Sequence, residues 1–294
     1  MNAYLTLLRP HQWSKNSFLF AALVFSRHLF DPAFAILSLK AFIAFCLVSS
    51  TMYIVNDAKD IEADRLHPTK RNRPIASGLI SLPIAAVVGL VLLLAAFFVS
   101  KDLPRSFAYA VGAYAILNIA YTFGLKQVVL VDVFIIAAGF LIRVVAGAYA
   151  IDVEVSHWLI LCTLFIALFL AVSKRRAELL LNELTASQSA RSVLRDYDVQ
   201  FVDQLMTVVA SGTVISYALY SVADRTVMMF GTENLVFTTV FVLFGTFRYL
   251  FLVRHRSTED NPTTLLLTDG PLLANIALWF TACVAIIYSG SSMR

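Results

Sequence analysis

Long apolar runs alternate with short polar segments along the whole chain. Nine runs can be marked, at about 17 to 32, 33 to 55, 80 to 99, 105 to 123, 127 to 150, 156 to 173, 205 to 223, 234 to 253 and 271 to 289. At 1.5 Å rise per residue such runs suit a hydrocarbon layer of roughly 30 Å. They lack the residue-by-residue alternation of barrel strands, and backbone groups in lipid must be satisfied within their own segment, so the pattern predicts helices. The expected fold is an all-α integral membrane bundle of nine transmembrane helices with polar cap loops on one face, residues 1 to 294 forming a single polytopic domain.

Composition agrees with that pattern. Of 294 residues, 59% are hydrophobic and 14% charged, with mean hydropathy +0.77, against roughly 25% charged in a soluble domain. Placing the N-terminus in the cytoplasm puts 15 of the 23 Lys and Arg on that side, five outside and three within spans, the asymmetry that orients membrane proteins. The long polar connections, 56 to 79, 174 to 204 and 254 to 270, then all face the cytoplasm. The net charge of +4 does not point to nucleic acid, because the bases flank apolar runs and are interleaved with acids. Cys46, Cys162 and Cys283 lie inside apolar runs and form no metal or disulfide pattern. Arg9 and Lys15 precede a run that continues into the next, with no cleavage-site pattern, so the first helix is expected to be retained.

The segment from Met52 reads MYIVNDAKDIEADRLHPTKRNRPIASG. If the second helix runs on into the headgroup region, Asn56, Asp60 and Asp64 recur at i, i+4 and i+8, and Asp57 sits one turn before Asp60. Carboxylates that close repel one another unless a cation intervenes. With oxygen donors and neither His nor Cys, the cation of choice is Mg²⁺ shared with substrate phosphate. An ordinary solvated helix end is the competing reading, supported by Lys59 and Arg65. What tips the balance is the basic patch that follows at once, with His67, Lys70, Arg71 and Arg73 between Pro68, Pro74 and Gly78. Acids for a metal stand beside bases for phosphate, although any one base could serve as a lipid anchor.

These residues resemble the UbiA superfamily of intramembrane transferases, whose signature N-D-x-x-D-x-x-x-D followed by R-P and G is matched by Asn56, Asp57, Asp60, Asp64, Arg73, Pro74 and Gly78. The similarity extends to RPHQWSKN near the start, YTFGLKQ from Tyr121 to Gln127, and FLIRVVAGAYA from Phe140 to Ala150. The runs DRLHPTKRNRPIA, KRRAEL from Lys174 to Leu179, and NPTTLLLTDGPLL resemble the bacterial branch that transfers phosphoribose rather than a prenyl group. The resemblance implies a Mg²⁺-dependent transfer of phosphoribose from 5-phosphoribosyl 1-diphosphate to a polyprenyl (decaprenyl) phosphate. It further implies a multi-pass enzyme of the bacterial plasma membrane, in contact with membrane lipids, supplying arabinan cell-wall precursors; a homo-oligomer is left open. Asp57, Asp60 and Asp64 would be catalytic and, with Asn56, would hold the metal. Two alternatives remain: an aromatic prenyltransferase of the same superfamily using a polyprenyl diphosphate, and a lipid-phosphate transporter.

Where prenyltransferases of this superfamily carry a second aspartate-rich motif, this chain has SKRRAELLLNEL. Lys174, Glu178 and Asn182 echo the i, i+4, i+8 spacing, and Lys174 and Arg175 suit a donor with an additional phosphate or, equally, a basic stop after a helix. Lys15 and Asn16 lie where a lipid phosphate could be received, though Lys15 could also snorkel. Tyr53 counts among the substrate-binding candidates, and by resemblance Tyr121 and Lys126 reach the donor diphosphate. Arg143, deep in an apolar run, needs either an interhelical partner or a substrate contact. Lys40 and Arg248 read as snorkellers, and Asp196, Asp198 and Asp203 as a solvated face or a helix cap.

Overall fold

The computed structural model describes residues 3–67, 69–185, 194, 196–255 and 268–289, with backbone alone for 182–185. The described residues are helical and contain no strand. Eight segments are long and apolar enough to cross a membrane: Pro32–Lys59, Leu82–Ser100, Arg105–Phe123, Val131–Ala150, His157–Leu181, Val199–Val222, Asn234–His255 and Gly270–Ser289. In chain order the α-helices are α1 (Ala3–Leu8), α2 (Ala21–Phe25), α3 (Pro32–Lys59), α4 (Ile61–Leu66), α5 (Leu82–Ser100), α6 (Arg105–Phe123), α7 (Val131–Ala150), α8 (His157–Thr185), α9 (Val199–Val222), α10 (Asp224–Phe230), α11 (Thr239–His255) and α12 (Gly270–Ser289).

The first apolar run departs from the expected continuous helix. Pro10–Phe20 is a 3-10 segment and only Ala21–Phe25 is α-helical. Eleven residues at ~2.0 Å and five at ~1.5 Å still extend roughly 30 Å. The physical reason lies in the side-chain pattern. With three residues per turn, positions 13, 16 and 19 stack in one straight line. Asn16 and Leu19 are buried on that line, and the Trp13 indole N–H donates to Ser50 Oγ at 3.0 Å, while His11, Ser14 and Ser17 are exposed. The buried line packs on α3 and α7. Gly147 of α7 permits the approach, since a Cβ there would lie 2.0 Å from the Leu19 carbonyl oxygen.

Two compact units carry these elements, Met1–Val155 and Ser156–Arg294. In the first, α3 is the central element, touching α1, the 3-10 segment, α5, α6 and α7. Asp31 caps it, accepting from the Ala33 N–H at 2.9 Å, and Pro32 occupies its first turn. Small and aromatic side chains fill the α3, α6 and α7 contacts, among them Ala41, Ala44, Phe45, Ala110, Tyr114, Ala146 and Ala150. Lipid tails are as apolar as these residues, so close packing rather than water exclusion holds such helices together. The outer face of α5 exposes Leu90, Val91, Leu94, Phe97 and Phe98, a surface suited to lipid.

In the second unit α8 packs along α9, and α11 on α9 and α12. Asp198 caps α9 through the Phe201 N–H at 2.8 Å, as its sequence position suggested. Arg248 makes a forked ion pair with buried Asp269, at 3.1 and 2.9 Å, which replaces the expected snorkelling. Lys40 pairs with Asp102 at 3.2 Å in the first unit.

Candidate active site

The acidic motif spans the junction of α3 and α4. Asp60 closes α3 with φ −96° and ψ 12°, so the helix does not run on unbroken as expected. Asp60 N–H still bonds Asn56 C=O at 3.0 Å, and Asp64 N–H bonds Asp60 C=O at 2.8 Å. One-turn spacing therefore survives the break. Asn56 Oδ1 accepts from Thr122 of α6 at 3.3 Å.

Each carboxylate faces a cation. Arg9 Nη2 contacts both oxygens of Asp57 at 2.6 and 2.7 Å, and Arg73 Nη1 bridges Asp57 (3.0 Å) and Asp64 (2.6 Å). Lys126 Nζ donates to Asp60 Oδ1 at 2.6 Å. Asp57 and Asp64 side chains are 2% and 5% exposed, against 24% for Asp60. Burying charges this deeply is tolerable only where partners compensate them.

The cations arrive from three separate elements. Arg9 precedes the 3-10 segment with φ 54° and ψ 56°, a left-handed conformation that costs a non-glycine residue of order 1–2 kcal/mol. Its guanidinium also lies 5.1 Å from the Tyr53 ring centroid. Arg73 enters on a turn closed by Ser77 N–H to Arg73 C=O (2.9 Å) and Ile80 N–H to Pro74 C=O (3.0 Å), where Gly78 takes φ +80°. Arg65 Nε holds that turn through Ala76 C=O at 3.1 Å, and Ile75 and Ile80 pack with Leu7 and Ile54 beneath it. Lys126 sits in the 3-10 turn Leu125–Gln127. His67 Nδ1 accepts from Thr69 and Lys70 N–H at 3.3 and 3.4 Å. Burial, then Lys70, push its pKa below 6.5.

Among the described residues no three His, Cys, Asp or Glu side chains are grouped as ligands, because cations stand between the acids. The donor chemistry nevertheless fits Mg²⁺. All candidates are oxygens, and Asp60 and Asp64 each use one carboxylate oxygen for their cation.

Several other candidates lie elsewhere. Asn16, a candidate for lipid phosphate, and Arg143, weighed between an interhelical partner and a substrate contact, bond each other: Arg143 Nε donates to Asn16 Oδ1 at 2.7 Å, Nη1 to Gly139 C=O at 2.7 Å and Nη2 to Tyr114 Oη at 2.9 Å. The interhelical partner weighed for Arg143 is thus present. Lys15, Lys70 and Tyr121 are partly buried and Arg71 is exposed. In the second unit Arg175 and Lys174 both pair with Glu178 on α8, and Arg176 pairs with Asp203 at 2.7 Å. The Asn182 side chain, Pro68 and most of NPTTLLLTDGPLL lie outside the described residues. Sequence reasoning missed Arg9 and Thr122. The R-P pair in RPHQWSKN, a cation placed before a helix start, was the available signal for Arg9.

The sequence profile of the UbiA prenyltransferase family matches residues 17–268. The chain belongs to that family. Within it, the chain is 38% identical over 218 residues to decaprenyl-phosphate phosphoribosyltransferase of Mycolicibacterium smegmatis, covering 73% of this chain and 68% of that protein. It is 38% identical over 220 residues to the Corynebacterium glutamicum protein of the same name, covering 72% of this chain and 65% of the relative. A UbiA homologue from Archaeoglobus fulgidus, solved bound to GPP and Mg²⁺, matches 99% of this chain and 100% of its own, with TM-score 0.71 and 18% identity. That likeness establishes the UbiA fold.

Proposed function

We propose that this UbiA-family membrane enzyme transfers 5-phosphoribose from 5-phosphoribosyl 1-diphosphate to a polyprenyl phosphate of decaprenyl type, releasing diphosphate. The observation that carries the reading is three buried or half-buried carboxylates interleaved with Arg9, Arg73 and Lys126. The name of the relatives, decaprenyl-phosphate phosphoribosyltransferase, supports the transferred group and the acceptor, and 5-phosphoribosyl 1-diphosphate is proposed as the donor. Mg²⁺, present in the A. fulgidus homologue, would be held by Asn56, Asp57, Asp60 and Asp64 and would neutralise the diphosphate as it leaves.

In this reading Arg9, Arg73 and Lys126 turn from the carboxylates toward donor phosphate, and Lys70, Arg71 and Tyr121 are proposed to assist in binding it. Charge accumulates on the diphosphate as the C1–O bond breaks and the ribose becomes oxocarbenium-like, so prepositioned cations lower the barrier. A phosphate oxygen of the acceptor attacks C1 from the opposite side. That oxygen is already ionised near neutral pH, and no general base is required. Lys174 and Arg175 are proposed to contribute to donor use through phosphate contacts, balanced by Glu178. The Lys/Arg bias supports an orientation with the N-terminus and site in the cytoplasm, and the bacterial relatives support placement in a bacterial plasma membrane. Cysteine labelling from outside intact cells should then reach positions beside Asp102 and Asp152, and not those beside Lys70.

The test is incubation of purified protein with Mg²⁺, polyprenyl phosphate and either 5-phosphoribosyl 1-diphosphate or a prenyl diphosphate, with the lipid product identified by mass. A product heavier by one phosphoribosyl group is expected. Consumption of prenyl diphosphate alone would overturn the proposal in favour of aromatic prenyl transfer.

A further inference from the structure

The first unit contains a polar chain that the proposed chemistry does not use. Arg143 on α7 is 5% exposed and Asn16 on the 3-10 segment is fully buried. Arg143 Nε donates to Asn16 Oδ1 at 2.7 Å, and Asn16 Nδ2 donates on to Ser49 Oγ (3.2 Å) and Cys46 Sγ (3.3 Å) of α3. Two further bonds, to Gly139 C=O and Tyr114 Oη, fix the guanidinium, whose carbon lies 4.7 Å from the Tyr114 ring centroid. A charge among transmembrane helices is costly enough to need a reason.

The reason we infer is positional: Arg143 is a positioning residue that acts through Asn16 to hold the first segment in its 3-10 form, and so places Arg9 on Asp57. The inference rests on the reading of Asp57 as part of the active site. Eleven consecutive residues of 3-10 helix are unusual, because its hydrogen bonds are poorer than those of an α-helix. Something outside the segment must favour the form. The period-three line supplies that preference, with Trp13 bonded to Ser50, Asn16 to Arg143 and α3, and Leu19 buried where it crosses Gly147. In an α-helix successive members of that line would rotate away by about 60° each, and Arg143 Nε would lose Asn16 as its acceptor, keeping only its bonds to Gly139 and Tyr114. The segment would also shorten by roughly 5 Å, from ~2.0 to ~1.5 Å per residue. Arg9 stands at its N-terminal end, held within 2.7 Å of Asp57. A 5 Å withdrawal breaks that contact. The left-handed backbone at Arg9 is the point where the fixed length of the segment meets the fixed position of Asp57.

The inference is tested by pulsed electron–electron distance measurement between spin labels at H11C and K101C, with Cys162→Ser, in the full-length protein. One narrow distance is expected in the parent, and a broadened or shifted one in Arg143→Met and Asn16→Leu. Asn16→Asp, which keeps an acceptor for Arg143, should retain the narrow distance. Kinetically, Arg143→Met should raise the donor KM roughly tenfold, the scale of one charge-assisted contact, with a smaller effect on kcat. Combined with Arg9→Ala it should add little to the KM effect of Arg9→Ala alone. An unchanged distance in both Arg143→Met and Asn16→Leu overturns the inference, as do additive KM effects, which would make Arg143 an independent substrate contact. Should Arg143→Met fail to accumulate, Asn16→Leu and Tyr114→Phe carry the same comparison. The distance does not depend on donor identity, so failure of the phosphoribosyl reading and failure of this one are told apart.

Discussion

Arg73 offers a direct test of how the buried acidic motif is compensated. Its Nη1 lies 3.0 Å from Asp57 and 2.6 Å from Asp64, and among the described residues Asp64 has no other cation. Arg73→Ala leaves Asp64 as a buried carboxylate without compensation, while Asp57 keeps Arg9. Removing one partner of a buried ion pair costs about 3–5 kcal/mol. Arg73 is itself 23% exposed, so solvent screening brings the expected loss to about 2–3 kcal/mol. Arg73→Lys should lie between, because one ammonium bridges two carboxylates less well than a planar guanidinium. The measurement is thermal unfolding of detergent-solubilised protein, with EDTA and with Mg²⁺. In EDTA the alanine variant should melt several degrees below the parent, and Mg²⁺ should recover more of the loss than it adds to the parent. An alanine variant as stable as the parent, or an equal Mg²⁺ response in both, would refute the view that Arg73 and the metal share these carboxylates.

Asp60→Asn should abolish turnover while leaving the protein folded, since an amide lacks the charge a hard cation requires; retained activity, or wild-type turnover in chelator, would remove Asp60 from the metal site. Gly147→Ala should be disproportionately harmful for one methyl group. Its Cβ would lie 2.0 Å from the Leu19 carbonyl oxygen, so backbone must move, and a melting-temperature drop reflecting at least about 1–3 kcal/mol is expected. For His67, a folded-state pKa below 6.5 means the unfolded chain binds more protons in that window. Stability should therefore fall as pH drops below 6.5, and His67→Asn should flatten that slope in melting curves between pH 7.5 and 5.5. Lys174→Ala or Arg175→Ala should weaken donor use roughly 10- to 150-fold if each loses a charge-assisted phosphate contact; an unchanged donor KM in both would remove the proposed role of these residues in donor use.

The sequence by itself determined the membrane-spanning character, the position of eight helices and the acidic motif beside its bases, because each is written in local spacing. Apolar runs record the thickness of the bilayer. The i, i+4, i+8 spacing of Asn56, Asp60 and Asp64 survives even the helix break at Asp60, since one turn of backbone sets it. Other properties were decided only by tertiary structure. Arg9 and Asp57 are 48 positions apart, and Lys126 and Asp60 are 66 apart; no local pattern pairs them, so the counter-charges of the acids emerge only when α3 is packed against its neighbours. Asn16 read as a candidate for lipid phosphate, and Arg143 was open between an interhelical partner and a substrate contact, because spacing along the chain does not say which side chains of other elements lie within reach. They become a structural pair once the first segment lies across α7. The 3-10 form of that segment was hidden for the same reason: hydrophobicity alone does not separate three residues per turn from 3.6, and only the line of Trp13, Asn16 and Leu19 meeting partners on α3 and α7 makes the tighter helix the one that satisfies its buried polar groups.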